Sequence, residues 1–337
     1  MSRVVVRDLA LVVTVDPQDT VLRDVSVVVE DGVITAVGPG AGNGAVGSRK
    51  DVVIDGRGHL ALPGLVNLHT HLPMTLLRGI AEGVDLQGFL ARVWAAEGAV
   101  MDPETVELGA TLGALESLLA GCTTQLDMYF HHEPAHRGAV AAGSRHVGGP
   151  TFFFGPGPDG LSWDERIAGL RAWPQVLRGA GGPLVPVAAM PHSTYTCSVE
   201  HLAEVARVLT EVADREPNGL APVLHTHVSE NAAENADVVA RLGASPTELL
   251  VAAGVLGTPN GVTDPARPRV VAGHGVHLSA SDRAHLAGSG ASVAHCPGSN
   301  LKLASGDWTG SAGGRTAYAW GSGPTAARAR TTSTCGR

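Results

Sequence analysis

Histidines stand out among the residues of this chain that could do chemistry, and they recur at the ends of apolar runs. His69 and His71 close GLVNLHTH, and His192 closes PLVPVAAMPHS. His225 and His227, with Glu230 just beyond, close APVLHTHVSE, and His274 and His277 close RVVAGHGVHLS. Side chains two apart on a strand point to the same side, so each H-x-H pair presents two imidazoles together. Imidazoles that converge on one place suit a divalent transition metal of the zinc or iron type. A lone H-x-H says little, but histidines at the ends of four separate runs are hard to explain as surface decoration.

The elements that must position these residues follow from the same runs. From Gly64 onward, seven short apolar runs alternate with stretches of helical pattern. Two of the helices carry start signals: Asp102-Pro103, and Ser245-Pro246 with Glu248 as a capping box. Continuous apolar strands alternating with helices indicate buried parallel strands, and eight such units close a (β/α)8 TIM-type barrel. The polar residues gather at the C-terminal ends of the strands, the face on which such barrels carry their catalytic groups. The eighth strand is due just after Gly306. Residues 1–60 read instead as a small β-sandwich module, with Asp31-Gly32 as a hairpin turn. The expected organisation is 1–60 as this β module, 61–306 as the barrel and 307–337 as an aberrant, disordered tail.

Composition narrows the partners. The chain has 337 residues, 44% hydrophobic content and a net charge of −8, with no cluster of Lys and Arg to serve nucleic acid or an anionic membrane. The N-terminal apolar run breaks at Arg7 and Asp8, unlike a signal peptide, and no run reaches the roughly 18 to 20 residues of a membrane span. Four cysteines without a paired spacing fit a reducing cytoplasm. A small molecule and water are the expected partners, with a homo-oligomer left open.

In order along roughly residues 1 to 306, PGLVNLHTHLPMTLLRG, GCTTQLDMYF, MPHSTYTCS, HTHVSE, GHGVHLS and AHCPGSNLKL resemble the amidohydrolase superfamily. Within it they are most similar to the deaminase and chlorohydrolase branch, in its 5-methylthioadenosine/S-adenosylhomocysteine deaminase-like group. The resemblance implies one divalent metal, zinc or alternatively iron, held by His69, His71 and His227, with a fourth ligand, an Asp, at the end of strand eight. It implies that Glu230 shuttles a proton and that His274 steadies the attacking hydroxide and the tetrahedral intermediate. Glu97 in RVWAAEG would hold ribose hydroxyls, although the Pro of that motif is Ala here; its alternative is an exposed helix residue. His192 would contact substrate, against a capping or core role. His225 reads as a supporting group, Asp127 as a structural carboxylate and Cys296 as a small buried hydrophobe. His131 and Glu133 form an H-x-E, but no P-C-x-x-C completes that other zinc motif. The implied activity is metal-dependent hydrolysis of an exocyclic amino group on a purine nucleoside or related N-heterocycle. The alternatives are a guanine-type deaminase, a triazine-type chlorohydrolase and a catalytically dead metal-binding fragment.

The sequence departs from the resemblance after Gly306. From Asp307 to Arg337 there is no Leu, Ile, Val, Met or Phe, and no acidic residue follows Asp307, so the expected G-T-D-G is missing. Permitted codons for WGSGPTA, read one base earlier, can give V-G-L-G-T-D-G. The expectation is a frameshift near Gly306 that scrambles residues 307–337. It would leave the barrel incomplete at strand eight, the β module without its C-terminal half, and the chain truncated and inactive.

Overall fold

The structure, a computed structural model, describes residues 3–43, 51–215, 219–257 and 267–306, together with the backbone of strand residues 316–318 and 330–331. Two compact units divide the chain, Met1–Gly64 and Leu65–Arg337.

In the first unit the Val-rich runs become strands β1 (Arg3–Val13), β2 (Val21–Glu30), β3 (Val33–Gly38), β4 (Asp51–Asp55) and β5 (Leu60–Ala61). They form one sheet in the order β3-β2-β1-β4, with β5 also on β1. Asp31 and Gly32 join β2 to β3 with φ of 48° and 83°. Two successive left-handed residues twist the chain to match the flanking strands, the reason an Asp-Gly pair makes a tight hairpin. Leu9, Val12, Val25 and Val27 pack together as this unit's core.

The second unit alternates strands and helices. Its strands are β6 (Leu65–Thr70), β7 (Cys122–Asp127), β8 (Arg145–Val147), β9 (Thr151–Phe152), β10 (Ala188–Pro191), β11 (Val223–Val228), β12 (Arg269–His274), β13 (Ser292–His295), β14 (Thr316–Tyr318) and β15 (Arg330–Thr331). Parallel ladders run β6-β7-β8 and then β9 through β14, while β15 lies antiparallel on β14. Strands β8 and β9 are two halves of one run, split at Gly148-Gly149-Pro150. Proline has no N–H to give a ladder, and a side chain at Gly149 would put its Cβ 1.9 Å from the Ala188 carbonyl oxygen. This is the α/β succession of a (β/α)8 barrel. Among the described residues no ladder closes the ring between β14 and β6. Strand β14 lies beside β13, where the eighth strand is due. Of the stretch read from sequence as an aberrant tail, only β14 and β15 are described; the rest, Cys335 included, lies outside the described residues.

The helices are α1 (Leu86–Val100), α2 (Pro103–Leu119), α3 (His132–Ala141), α4 (Trp163–Ala180), α5 (Val199–Arg215), α6 (Ala232–Leu242), α7 (Pro246–Ala252), α8 (Ala280–Ser289) and α9 (Pro297–Lys302). Asp102 caps α2 by accepting the Thr105 N–H at 2.8 Å, with Pro103 in the first turn. Ser245 and Glu248 form the reciprocal box that starts α7. Fully buried Phe152, Leu170, Trp173, Leu202, Leu209, Leu224 and Leu250 pack strands against α4, α5 and α7. Each such side chain contributes roughly 1.5–3 kcal/mol on burial. No described helix is long and apolar enough to cross a membrane.

Candidate metal centre and active site

Strand ends bring the histidines together. His69 lies near the end of β6 and His71 just past it, while His225 and His227 lie near the end of β11. His192 follows β10 and His274 ends β12. The ring centroids of His71 and His227 stand 4.8 Å from that of His69 and 5.4 Å from each other. One ligand atom from each of these three lies within 4.8 Å of the others.

Hydrogen bonds decide which ring nitrogen each presents. His71 Nδ1 is 2.6 Å from the Met128 carbonyl oxygen, and His227 Nδ1 is 2.7 Å from that of His192. A carbonyl only accepts, so each Nδ1 carries the proton and each Nε2 keeps its lone pair. His69 reaches the same state by one further step. His225 Nδ1 donates to the Val271 carbonyl at 2.7 Å, which leaves His225 Nε2 as an acceptor. His69 Nδ1, 2.7 Å from that nitrogen, therefore donates to it, and His69 Nε2 is bare. Burial first, then the neighbouring imidazoles, hold His69 and His227 well below the usual histidine value. Burial also lowers His71, opposed by the Met128 carbonyl and Asp127. Three neutral imidazoles with fixed rings and free Nε2 lone pairs are a donor set that fits a divalent metal.

Two further groups flank this triad. Burial pushes Glu230 up to about 8, so its carboxyl holds a proton at neutral pH. Its Oε1 is 3.6 Å from His274 Nε2. His274 Nδ1 lies 2.9 Å from Asn300 Oδ1 and donates to it, which aims the other nitrogen into the site. His274 has φ of 70°, a left-handed conformation that costs a residue with a side chain about 1–3 kcal/mol. The next residues hold it there: the Gly275 N–H bonds the Val228 carbonyl and the His277 N–H that of Ser229, both at 3.0 Å.

One pocket is lined by all seven residues expected from sequence: His69, His71, Glu97, His192, His227, Glu230 and His274. Glu97 is not an exposed helix residue; it is only 3% exposed, and burial raises its carboxyl to about 7, with the neighbouring Tyr129 opposing. The Tyr129 hydroxyl makes no well-formed hydrogen bond. His192 stacks on Phe153 at 4.7 Å. His225 supports His69 from outside the pocket lining. His277 is not brought to the pocket; its Nε2 donates to the Ser305 carbonyl at 2.6 Å. Asp127 accepts the Leu72 N–H at 2.7 Å, just after His71.

Sequence reasoning missed Asn300 and the aromatic wall of Trp94 and Phe153. A signal existed for Trp94, since three residues before Glu97 on a helix is the same face. Asn300 carried none, because its partner His274 is 26 residues away.

A profile of the amidohydrolase family matches residues 60–307. The chain belongs to the amidohydrolase family. Members of this family generally hold a divalent metal. A 5-methylthioadenosine/S-adenosylhomocysteine deaminase of Thermococcus kodakarensis is 39% identical over 257 residues, which is 76% of this chain and 56% of that protein. A 5'-deoxyadenosine deaminase of Methanothermobacter thermautotrophicus is 38% identical over 85% of this chain and 61% of its own length. The crystal structure of an adenosine deaminase from Xanthomonas campestris with bound zinc superposes with a TM-score of 0.78 at 31% identity, covering 95% of this chain and 69% of that one. This amidohydrolase chain thus spans about 56–61% of the length of the two deaminases it matches.

Proposed function

We propose that this site belongs to a hydrolase that removes the exocyclic amino group of an adenosine-type nucleoside, with zinc held by His69, His71 and His227. The observation that carries the reading is the triad of bare Nε2 nitrogens beside the buried Glu230 carboxyl and the aimed His274. The deaminase names of the relatives support the choice of reaction and substrate class. The Lewis acidity of a divalent cation at these nitrogens would bring the first ionisation of water toward neutral pH.

The chain's own residues do the rest. Glu230 delivers its proton to the ring nitrogen beside the carbon under attack, which draws electrons off that carbon as the water oxygen adds. His274 hydrogen-bonds the adding oxygen from the other side and steadies the tetrahedral centre. Water's two protons complete the balance: one goes to the amino group, which leaves as ammonia, and one restores the Glu230 carboxyl, while the carbon keeps the oxygen. Trp94, Phe153 and His192 offer flat faces for the heterocycle, and Glu97, which lines the same pocket, is assigned the ribose hydroxyls as hydrogen-bond acceptor.

The metal-ligand and base role that the family resemblance gives to a strand-eight Asp has no candidate in this sequence, where no Asp or Glu follows Asp307. We therefore infer that the 337-residue chain binds metal but turns over at background. The test compares ammonia release from an adenosine-type nucleoside by this chain and by a version read one base earlier after Gly306. The expected result is activity in the second alone, abolished there by Glu230→Gln. Equal release by both would overturn the inferred inactivity, and no release from the restored version would overturn the deaminase reading.

A further inference from the structure

A second group of metal-competent atoms shares His69 and His274 with the proposed active site and adds Cys296, which that reading does not use. His69, His274 and Cys296 each bring one ligand atom within 4.8 Å of the other two, and all three are buried. Cys296 follows β13, is 0% exposed, and its thiol rests against the Ala294 carbonyl at 3.3 Å. His69 offers Nε2, because its Nδ1 is committed to His225. His274 likewise offers Nε2, because its Nδ1 is committed to Asn300. The set is thus two imidazole lone pairs and one sulfur, the softer of the two donor groups.

We propose that His69, His274 and Cys296 form a second cation position, selective for a thiophilic divalent ion such as cadmium. Binding forms a sulfur–metal bond and releases the thiol proton to solvent, with no change of oxidation state. The two positions exclude one another, since both need the one bare nitrogen of His69. A cation in the sulfur-containing position also takes the His274 nitrogen that faces Glu230. Burial pushes the Cys296 thiol up to about 12, so without a cation it stays protonated and inert as a nucleophile. A coordinated thiol loses its proton outright.

The test titrates the full metal-free chain with cadmium and follows the sulfur-to-cadmium charge-transfer band in the ultraviolet difference spectrum. Cys335 is replaced by Ser throughout, so that only the buried thiols can respond. The expected result is a band that saturates at one equivalent, is lost in Cys296→Ser and in His274→Ala, and persists in His227→Ala. A band that survives Cys296→Ser, or no band in the starting chain, overturns the proposal. The His227→Ala arm keeps the two readings apart, because it removes the three-histidine site and leaves this one. A band lost in that variant also overturns the proposal, by showing that the sulfur position does not stand alone. The starting chain and the His227→Ala arm remain decisive even where Cys296→Ser fails to fold.

Discussion

His69, His71 and His227 can be set against a second buried group of the same unit, His136, His146 and Asp127. Both groups are largely buried, and burial lowers His69, His71 and His227 in the first and His136 in the second, the last to about 3 with His146 and His132 adding to the effect. They differ in where the hydrogen bonds go. His146 Nε2 donates to Asp127 Oδ2 at 3.2 Å, so its Nδ1 is the acceptor for His136 Nδ1 at 3.0 Å. The two rings bond to each other in a chain that ends on a carboxylate, and of their nitrogens the His136 Nε2 is left without a partner. In the first group each Nδ1 is given to an acceptor outside the triad, and the three Nε2 nitrogens face one another with nothing to bond. Density of buried histidine therefore does not mark a metal site; the direction of the hydrogen bonds does.

Changes that break this contrast should differ in size. His69→Ala should have the largest effect, because it removes a direct ligand of the three-histidine position where zinc is proposed to sit. Zinc bound per chain should fall to background, by more than the 10–100-fold typical of losing an outer hydrogen-bond partner, as read by metal analysis after dialysis. His225→Phe should come next. It removes the acceptor that fixes the His69 tautomer, and zinc affinity should drop by about 10–100-fold in a competition titration. His146→Phe should separate the two groups. It strands Asp127 Oδ2 and the His136 donor, costing about 1–3 kcal/mol of stability in a denaturant melt, while zinc content stays unchanged.

The last change concerns pH. Folding raises Glu230 from 4.5 to about 8, so between these values the folded chain binds more protons than the unfolded one. Its stability contribution is present below about 4.5 and is lost as pH rises toward 8. Glu230→Gln has no such loss. The melting temperature of the metal-free variant relative to the starting chain should therefore climb from pH 5 to pH 8, and a flat difference would contradict the buried, protonated carboxyl.

Much of this was legible in the sequence because the strand period alone places i and i+2 together. His69 with His71 and His225 with His227 follow from that, and so does the run of parallel strands. The capping residues Asp102, Ser245 and Glu248 were legible for the same local reason. What decides the chemistry was not local. The acceptors that set the tautomers are carbonyls of Met128, His192 and Val271, on other segments of the chain. The split of β8 from β9 depends on how closely Ala188 approaches Gly149, which a run of apolar letters does not show. The failure of His277 to join its neighbour His274 follows from the left-handed turn between them and the pull of the Ser305 carbonyl.

The most direct measurement of the central claim is zinc titration of the metal-free 337-residue chain beside its His71→Ala, His227→Ala and Cys296→Ser variants. The account predicts one zinc per chain, lost in both histidine variants and retained in Cys296→Ser. Full zinc binding by a chain lacking both His71 and His227 would contradict it.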